Sequence, residues 1–137
     1  MGGRGSLANM LRRAFGARSF GGFWRHWNPI WGYALARYVF APLRRLMPAW
    51  TALIATFVVS GLIHDAVIMA LRREPALLFA PWFLFLALGV VIGDRFGLTF
   101  GGLPWLGRAA AIVAYAALAL ALSLAVTFRV GLWWPAA

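Results

Sequence analysis

A histidine and an aspartate lie side by side within an apolar stretch of this sequence, TFVVSGLIHD from Thr56 to Asp65. Placing an ionisable side chain in the hydrocarbon of a bilayer costs on the order of 3 kcal/mol on insertion scales, so a membrane segment that keeps one usually uses it. The imidazole is the side chain that exchanges a proton near neutral pH. His64 is therefore the first candidate functional residue.

Small and polar residues recur at every fourth position before this histidine. Residues four apart lie on one face of a helix, so Ala52, Thr56, Ser60 and His64 form a single stripe. Such a stripe lets another helix approach closely, and an imidazole that only donates a hydrogen bond to a neighbouring carbonyl would also account for it. From these residues alone, function and helix packing both stay open.

Asp65 lies about 100° further round the helix and cannot share the face of His64. An ion pair with Arg72, Arg73 or another segment is its simplest expected role. We predict no metal site, because His26, His64 and the three acids of the chain show no recognised ligand spacing. The sequence also contains no HExxH, GxSxG, P-loop or dinucleotide-binding motif.

The elements that carry these residues must be membrane helices. The chain has 137 residues, of which 64% are hydrophobic, and its mean hydropathy is +0.81, well outside the range of soluble domains. About 20 helical residues cross the roughly 30 Å hydrocarbon layer. The apolar stretches 49–71, 77–93 and 109–128 therefore predict an all-α integral membrane protein with about three transmembrane helices, the second short but adequate.

The charge is strongly positive, with 13 basic residues, all arginine, against 3 acids and a net charge of +10. Eight arginines precede Pro48, and the positive-inside bias then predicts a cytoplasmic N-terminus in a multi-pass protein, which we expect in a bacterial inner membrane. In so apolar a chain, this charge favours lipid headgroups as partners over nucleic acid. A transit sequence in residues 1–20 and myristoylation at Gly2 are alternatives to a basic tail.

Two regions are predicted along the chain. Residues 1–22 are rich in glycine and arginine and are expected to form a basic cytoplasmic tail, mobile or lying on the surface, whereas 23–137 form the membrane domain. Residues 23–47 mix tryptophan and tyrosine with arginine, a combination typical of the headgroup level, and predict an interfacial helical segment before the first span. Trp133 and Trp134 would anchor the other end of the domain.

Two motifs together resemble the membrane-bound O-acyltransferase (MBOAT) family. The run SFGGFWRHWNPIW at 19–31 is followed by ARYVFAPL at 36–43 and by ATFVVSGLIHD at 55–65. The form FWR-x-WN followed by SGL-x-H is similar to the wax synthase, sterol and diacylglycerol acyltransferase branch, whereas alginate-acetylating relatives carry a histidine where this chain has Asn28. The resemblance implies transfer of an acyl group from acyl-CoA to a hydroxyl of a lipid or alcohol, without a bound cofactor.

The resemblance assigns the catalytic positions of the family to His64 and Asn28. An imidazole can take the proton of the acceptor hydroxyl as its oxygen attacks the thioester carbonyl. A carboxamide can orient a substrate or stabilise developing charge. Ser60, one helical turn before His64, would line the same pocket.

Three more residues match the FWR-x-WN string, namely Trp24, Arg25 and Trp27. These residues could either anchor the chain at the membrane interface or shape the entrance for the acyl donor. The sequence leaves both roles open, since arginine binds phosphate well but also extends its charged end to the interface. His26 occupies the variable position of the string and is expected at the surface.

Length separates this chain from the family, whose enzymes are large bundles of many membrane helices. The membrane domain is therefore predicted to be partial, and a partner chain supplying the missing helices, or a homo-oligomer, would have to complete the chamber. The alternative is a non-catalytic membrane subunit or a truncated remnant of such an enzyme. A small basic adaptor that binds anionic lipid or an acidic partner is a third hypothesis.

Overall fold

A computed structural model describes residues 5–131, and in this range every regular element is a helix. The predicted all-α fold is confirmed, while the predicted anchors Trp133 and Trp134 lie outside the described residues. The elements are α1 (Ser6–Phe15), α2 (Phe20–His26), α3 (Pro29–Leu35), a π-helical turn (Ala36–Phe40), α4 (Ala41–Arg44), α5 (Ala49–Arg72), α6 (Phe79–Arg95) and α7 (Trp105–Arg129).

Two of these helices, α5 and α7, are long and apolar enough to cross a membrane, with 24 and 25 residues. Helix α6 has 17 residues. At 1.5 Å per residue it is about 25 Å long, somewhat less than the hydrocarbon layer. The prediction of a helical membrane protein is confirmed, with two spans by length and a shorter apolar helix between them in the chain.

Prolines set several helix boundaries. Pro48 and Pro104 immediately precede α5 and α7, and Pro29 is the first residue of α3, where a missing N–H costs nothing. Pro42 lies within the next helical segment, where its ring excludes the ordinary hydrogen bond to the residue four before it. The chain there adopts the π-helical turn at 36–40, a wider turn that occurs where the α-helical ladder is interrupted.

Helices α5, α6 and α7 form an up-and-down bundle with α6 between its two neighbours. The α5–α6 pair is an antiparallel hairpin, and the two helices are in extensive contact. Helix α6 is tied to α7 by the Trp82 indole N–H, which donates to the Ala116 carbonyl at 3.1 Å, and by the Tyr115 hydroxyl, which donates to the Leu86 carbonyl.

Helices α1 and α2 pack on the end of the bundle where α6 ends and α7 begins. The backbone N–H of Phe100 donates to the Arg18 carbonyl at 2.9 Å, and the Trp105 indole N–H donates to the Arg12 carbonyl at 3.1 Å. Ala14 of α1 is fully buried. The segment predicted as a tail thus includes a packed helix, while its division from the membrane domain stays a prediction.

The aromatic segment at 23–47, predicted to lie along the interface, leads into the bundle. The ring of Trp24 meets the ring of Phe57 edge-on at a centroid distance of 5.2 Å. The Trp31 indole N–H donates to the Ser60 hydroxyl at 3.0 Å. Ser60 lies about 16 Å along α5 from its first residue, so this contact is near the middle of that helix.

Candidate active site

A cavity of about 560 Å³ lies between the α2–α3 segment and the α5–α6 hairpin. This volume is within the range of pockets that bind small molecules. Its wall is mainly aromatic and aliphatic, and its charged residues are Arg25 and Asp94. The fold brings to this cavity every site residue predicted from the two sequence motifs: Trp24, Arg25, Trp27, Asn28, Ser60 and His64.

The polar stripe on α5 faces the bundle. Ala52, Thr56 and Ser60 are buried, and His64 is half-buried. The Thr56 hydroxyl donates to the Ala52 carbonyl at 2.7 Å. Its hydrogen is therefore used within the helix.

The hydrogen bond of His64 determines which of its nitrogens is free. Nδ1 lies 2.6 Å from the carbonyl oxygen of Ser60. A carbonyl can only accept, so Nδ1 carries the hydrogen and Nε2 keeps an unshared electron pair in the neutral ring. Nε2 is therefore the atom that could accept a proton from a substrate hydroxyl.

Three aromatic rings surround the imidazole of His64. Phe79 is stacked on it at 5.3 Å with an interplanar angle of 27°, whereas Phe83 lies edge-on at 5.3 Å and Trp31 at 6.2 Å. These contacts restrict rotation of the ring.

Trp31 is a site residue that the sequence reasoning missed. The composition of residues 23–47 predicts an interfacial position for it, yet its indole N–H donates to the Ser60 hydroxyl, and Trp31 and His64 both line the cavity. The available signal was spacing, because Trp31 follows Asn28 by three residues, in the first turn of the helix that Asn28 caps.

Asn28 occupies a turn that few residues adopt. Its φ of 40° and ψ of 68° lie in the left-handed region, which asparagine tolerates better than most residues. Its Oδ1 accepts from the backbone N–H of Trp31 at 3.5 Å, and its own backbone N–H donates to the sulfur of Met10 at 3.3 Å. Its carboxamide is thereby held beside the cavity at the start of α3.

A second cavity of about 270 Å³ lies on the other side of these residues. Asn28, Trp31 and His64 line both cavities. The two cavities therefore meet at the catalytic positions that the sequence motifs predict.

Asp65 has a role that differs from the expected ion pair with Arg72 or Arg73. It is fully buried, and its Oδ1 accepts from the backbone N–H groups of Leu78 and Phe79 at 2.9 and 2.8 Å. Its Oδ2 accepts from a third, the N–H of Ala80, at 2.8 Å. These donors are at the start of α6, where an α-helix has no partner for them, so Asp65 caps α6 from the neighbouring helix.

His26 and the possible metal ligands are the remaining candidates from the sequence. His26 is exposed and is not part of either cavity wall. Over residues 5–131, no group of three histidine, cysteine or acidic side chains is arranged to hold a metal ion.

The fold and the site define a helical membrane protein with a histidine and an asparagine at one open cavity. The family model of the membrane-bound O-acyltransferase (MBOAT) family matches residues 5–93. This range is more than half of the chain and includes all six predicted site residues. The chain belongs to the MBOAT family. No curated protein and no solved structure matches it significantly.

Proposed function

We propose that this protein is an O-acyltransferase that transfers an acyl group from acyl-CoA to a hydroxyl of a lipid or alcohol, as in the wax synthase, sterol and diacylglycerol acyltransferase branch. One observation carries this proposal. His64, with Nε2 free, and Asn28, from the other motif, line one cavity of about 560 Å³.

The reaction needs a base, a site for developing charge and a route for the proton. His64 Nε2 takes the proton of the acceptor hydroxyl while its oxygen attacks the thioester carbonyl. The amide N–H of Asn28 is suited to donate to the oxyanion that forms. The carbon–sulfur bond then breaks, and the imidazolium returns the proton to the departing CoA thiolate, so that the base is regenerated.

Two substrates must reach the same base, and two cavities that share Asn28, Trp31 and His64 suit this requirement. The larger cavity also has Arg25 in its wall. A guanidinium binds phosphate through several donors, which supports entry of the CoA donor from that side. The smaller, apolar cavity would then take the acceptor.

The cavity wall is incomplete within this chain. Tyr33 and Trp27 line the cavity, yet 64% of the first and 36% of the second are exposed. A long acyl chain needs a wall on all sides, so we propose that a partner chain or a second copy completes it. The same incomplete wall favours one other candidate function, a non-catalytic membrane subunit or remnant of such an enzyme.

The proposed location is a bacterial inner membrane, with several crossings and the N-terminus in the cytoplasm. Arg12 and Arg18 lie at the same end of the bundle as Arg95 and Arg108, which supports this orientation under the positive-inside rule. Anionic lipid headgroups, rather than nucleic acid, are the partners that this arrangement favours.

The test is acyl transfer by purified protein, alone and with any co-purifying partner, from acyl-CoA of several chain lengths to a long-chain alcohol, a sterol or a diacylglycerol. His64→Ala should lower turnover by about 10² to 10⁴, the usual effect of losing a general base. His26→Ala, at the exposed histidine, is the matched control and should leave turnover unchanged. Undiminished transfer by His64→Ala would contradict the proposal, and no transfer by the unmodified protein in any assembled form would favour the non-catalytic alternative.

A further inference from the structure

The residue that follows the proposed base holds the start of α6 in place. The Asp65 carboxylate accepts three backbone hydrogen bonds, from Leu78, Phe79 and Ala80, at 2.8 to 2.9 Å. Such bonds to an ionised group are stronger than neutral ones, and a negative charge at a helix N-terminus also meets the positive end of the helix dipole. The position of this segment is thus set by α5, the helix that carries His64.

The segment held in this way includes the ring that stacks on His64. Phe79 gives its backbone N–H to Asp65 at 2.8 Å, and its side chain lies 5.3 Å from the imidazole with an interplanar angle of 27°. We propose that Asp65 is a positioning residue, which fixes the orientation of the His64 imidazole through Phe79. The catalytic consequence of this role rests on the proposed function, whereas the geometry does not.

The surrounding packing leaves the segment little freedom to move. Gly61 lies one turn before Asp65, and a Cβ at this position would come within 2.6 Å of the Phe79 carbonyl oxygen and 2.7 Å of the Ala80 Cα. From the other side, the Ser123 hydroxyl of α7 donates to the Leu78 carbonyl at 2.8 Å. The backbone of Phe79 is therefore held between α5 and α7.

Orientation matters because Nε2 must point at the acceptor hydroxyl while Nδ1 keeps its bond to the Ser60 carbonyl. If the ring of Phe79 moves away, the imidazole of His64 gains freedom to rotate, and misplacement of a reacting atom by about 1 Å can cost about 10²-fold in rate. A cap that only stabilised α6 would have no such effect on the ring of His64.

The test measures the NMR signals of the His64 imidazole in the full chain, in detergent micelles. His26→Gln leaves His64 as the one histidine of the sequence, so that its ring signals can be assigned in a histidine-labelled NMR sample. Stacking on Phe79 shifts these signals upfield through the ring current, and Phe79→Leu should abolish that shift. Asp65→Asn should move the signals in the same direction, whereas the matched acid-to-amide change Glu74→Gln, in the exposed loop before α6, should not.

Signals of a folded Asp65→Asn protein that coincide with those of the parent would overturn the proposal. Should Asp65→Asn fail to fold, Gly61→Ala gives the answer, because it displaces the Phe79–Ala80 backbone and leaves the carboxylate intact. A shift in the same direction supports positioning by the held segment, and unchanged signals refute it.

Activity supplies a second readout. Asp65→Asn should lower kcat by about 10- to 10²-fold with little change in the KM for the acceptor, since ring orientation affects the reacting step more than binding. A fall in protein yield with kcat unchanged would indicate a cap without a positioning role. If the unmodified chain has no activity, the proposed function fails, and the NMR comparison still decides the role of Asp65.

Discussion

Ser60 contributes two oxygen atoms to the site, and they have different consequences. Its hydroxyl accepts from the indole of Trp31, whereas its carbonyl accepts from Nδ1 of His64. The tautomer of His64 therefore depends on the main chain of α5 and survives any side-chain change at position 60. The hydroxyl acts on the cavity wall instead, because it fixes Trp31 between the two cavities.

Asn28 combines a chemical group with an unusual backbone conformation, and two substitutions separate them. Asn28→Gly keeps the left-handed turn and removes the amide, whereas Asn28→Ala also strains the turn by about 1 kcal/mol or more. If the amide stabilises the oxyanion, both variants should lose turnover to a similar extent, and only Asn28→Ala should show a lower thermal unfolding midpoint. Full turnover by Asn28→Gly would mean that this position serves the turn alone.

At the scale of the helices, α6 is held to α7 through a close approach at Gly89. A Cβ there would collide with the ring of Tyr115, which stacks on Phe20 at a centroid distance of 4.0 Å. Gly89→Ala must displace this ring, and overpacking of this kind typically costs about 1 to 3 kcal/mol. Unfolding by a denaturing detergent in mixed micelles would measure the loss of stability.

The control for this change is Gly102→Ala. A Cβ at Gly102 meets nothing within 4 Å, so this variant should stay within about 0.5 kcal/mol of the parent. Equal stability of the Gly89→Ala and Gly102→Ala proteins would show that the α6–α7 contact is looser than the structure indicates.

The same helices show what the sequence can and cannot predict. Hydropathy predicts the first span at 49–71, and α5 is Ala49–Arg72. It predicts the third span at 109–128, whereas α7 begins at Trp105, because the first turn after Pro104 is helical without being strongly apolar. Hydropathy indicates which residues contact lipid, but it does not indicate where a helix begins. A helix extends past its apolar stretch where a start signal such as proline lies further out.

The site was predictable where its residues are neighbours in one motif or on one helix face. Ser60 and His64 share a stripe, and Asn28 was assigned through a motif. The cap formed by Asp65 joins groups 13 to 15 residues apart, and Trp31 and Ser60 are 29 apart. Local periodicity carries no information about such pairs, since they depend on how two helices pack.

At the scale of the whole molecule, the fold collects arginines at one end of the bundle. Helix α1 and the residues after it contact the α6–α7 connection through the carbonyls of Arg12 and Arg18. Arg95 ends α6, and Arg108 lies in the first turn of α7. The opposite end of α5 is about 36 Å away by the length of that helix, so the two ends are on opposite sides of a bilayer if α5 crosses it.

Topology then depends on the 17-residue helix α6. The antiparallel α5–α6 hairpin returns the chain to the end where α5 began, so we predict three crossings with the arginine-rich end in the cytoplasm. A reporter inserted at Gly102 should be active on the cytoplasmic side, and one fused after Ala137 should be active on the opposite side. Reporters at the two positions on the same side would mean that α7 does not cross the membrane. Reversed sides at both positions would mean either that α6 does not cross the membrane or that the whole bundle is inverted, and would contradict three crossings with the arginine-rich end in the cytoplasm.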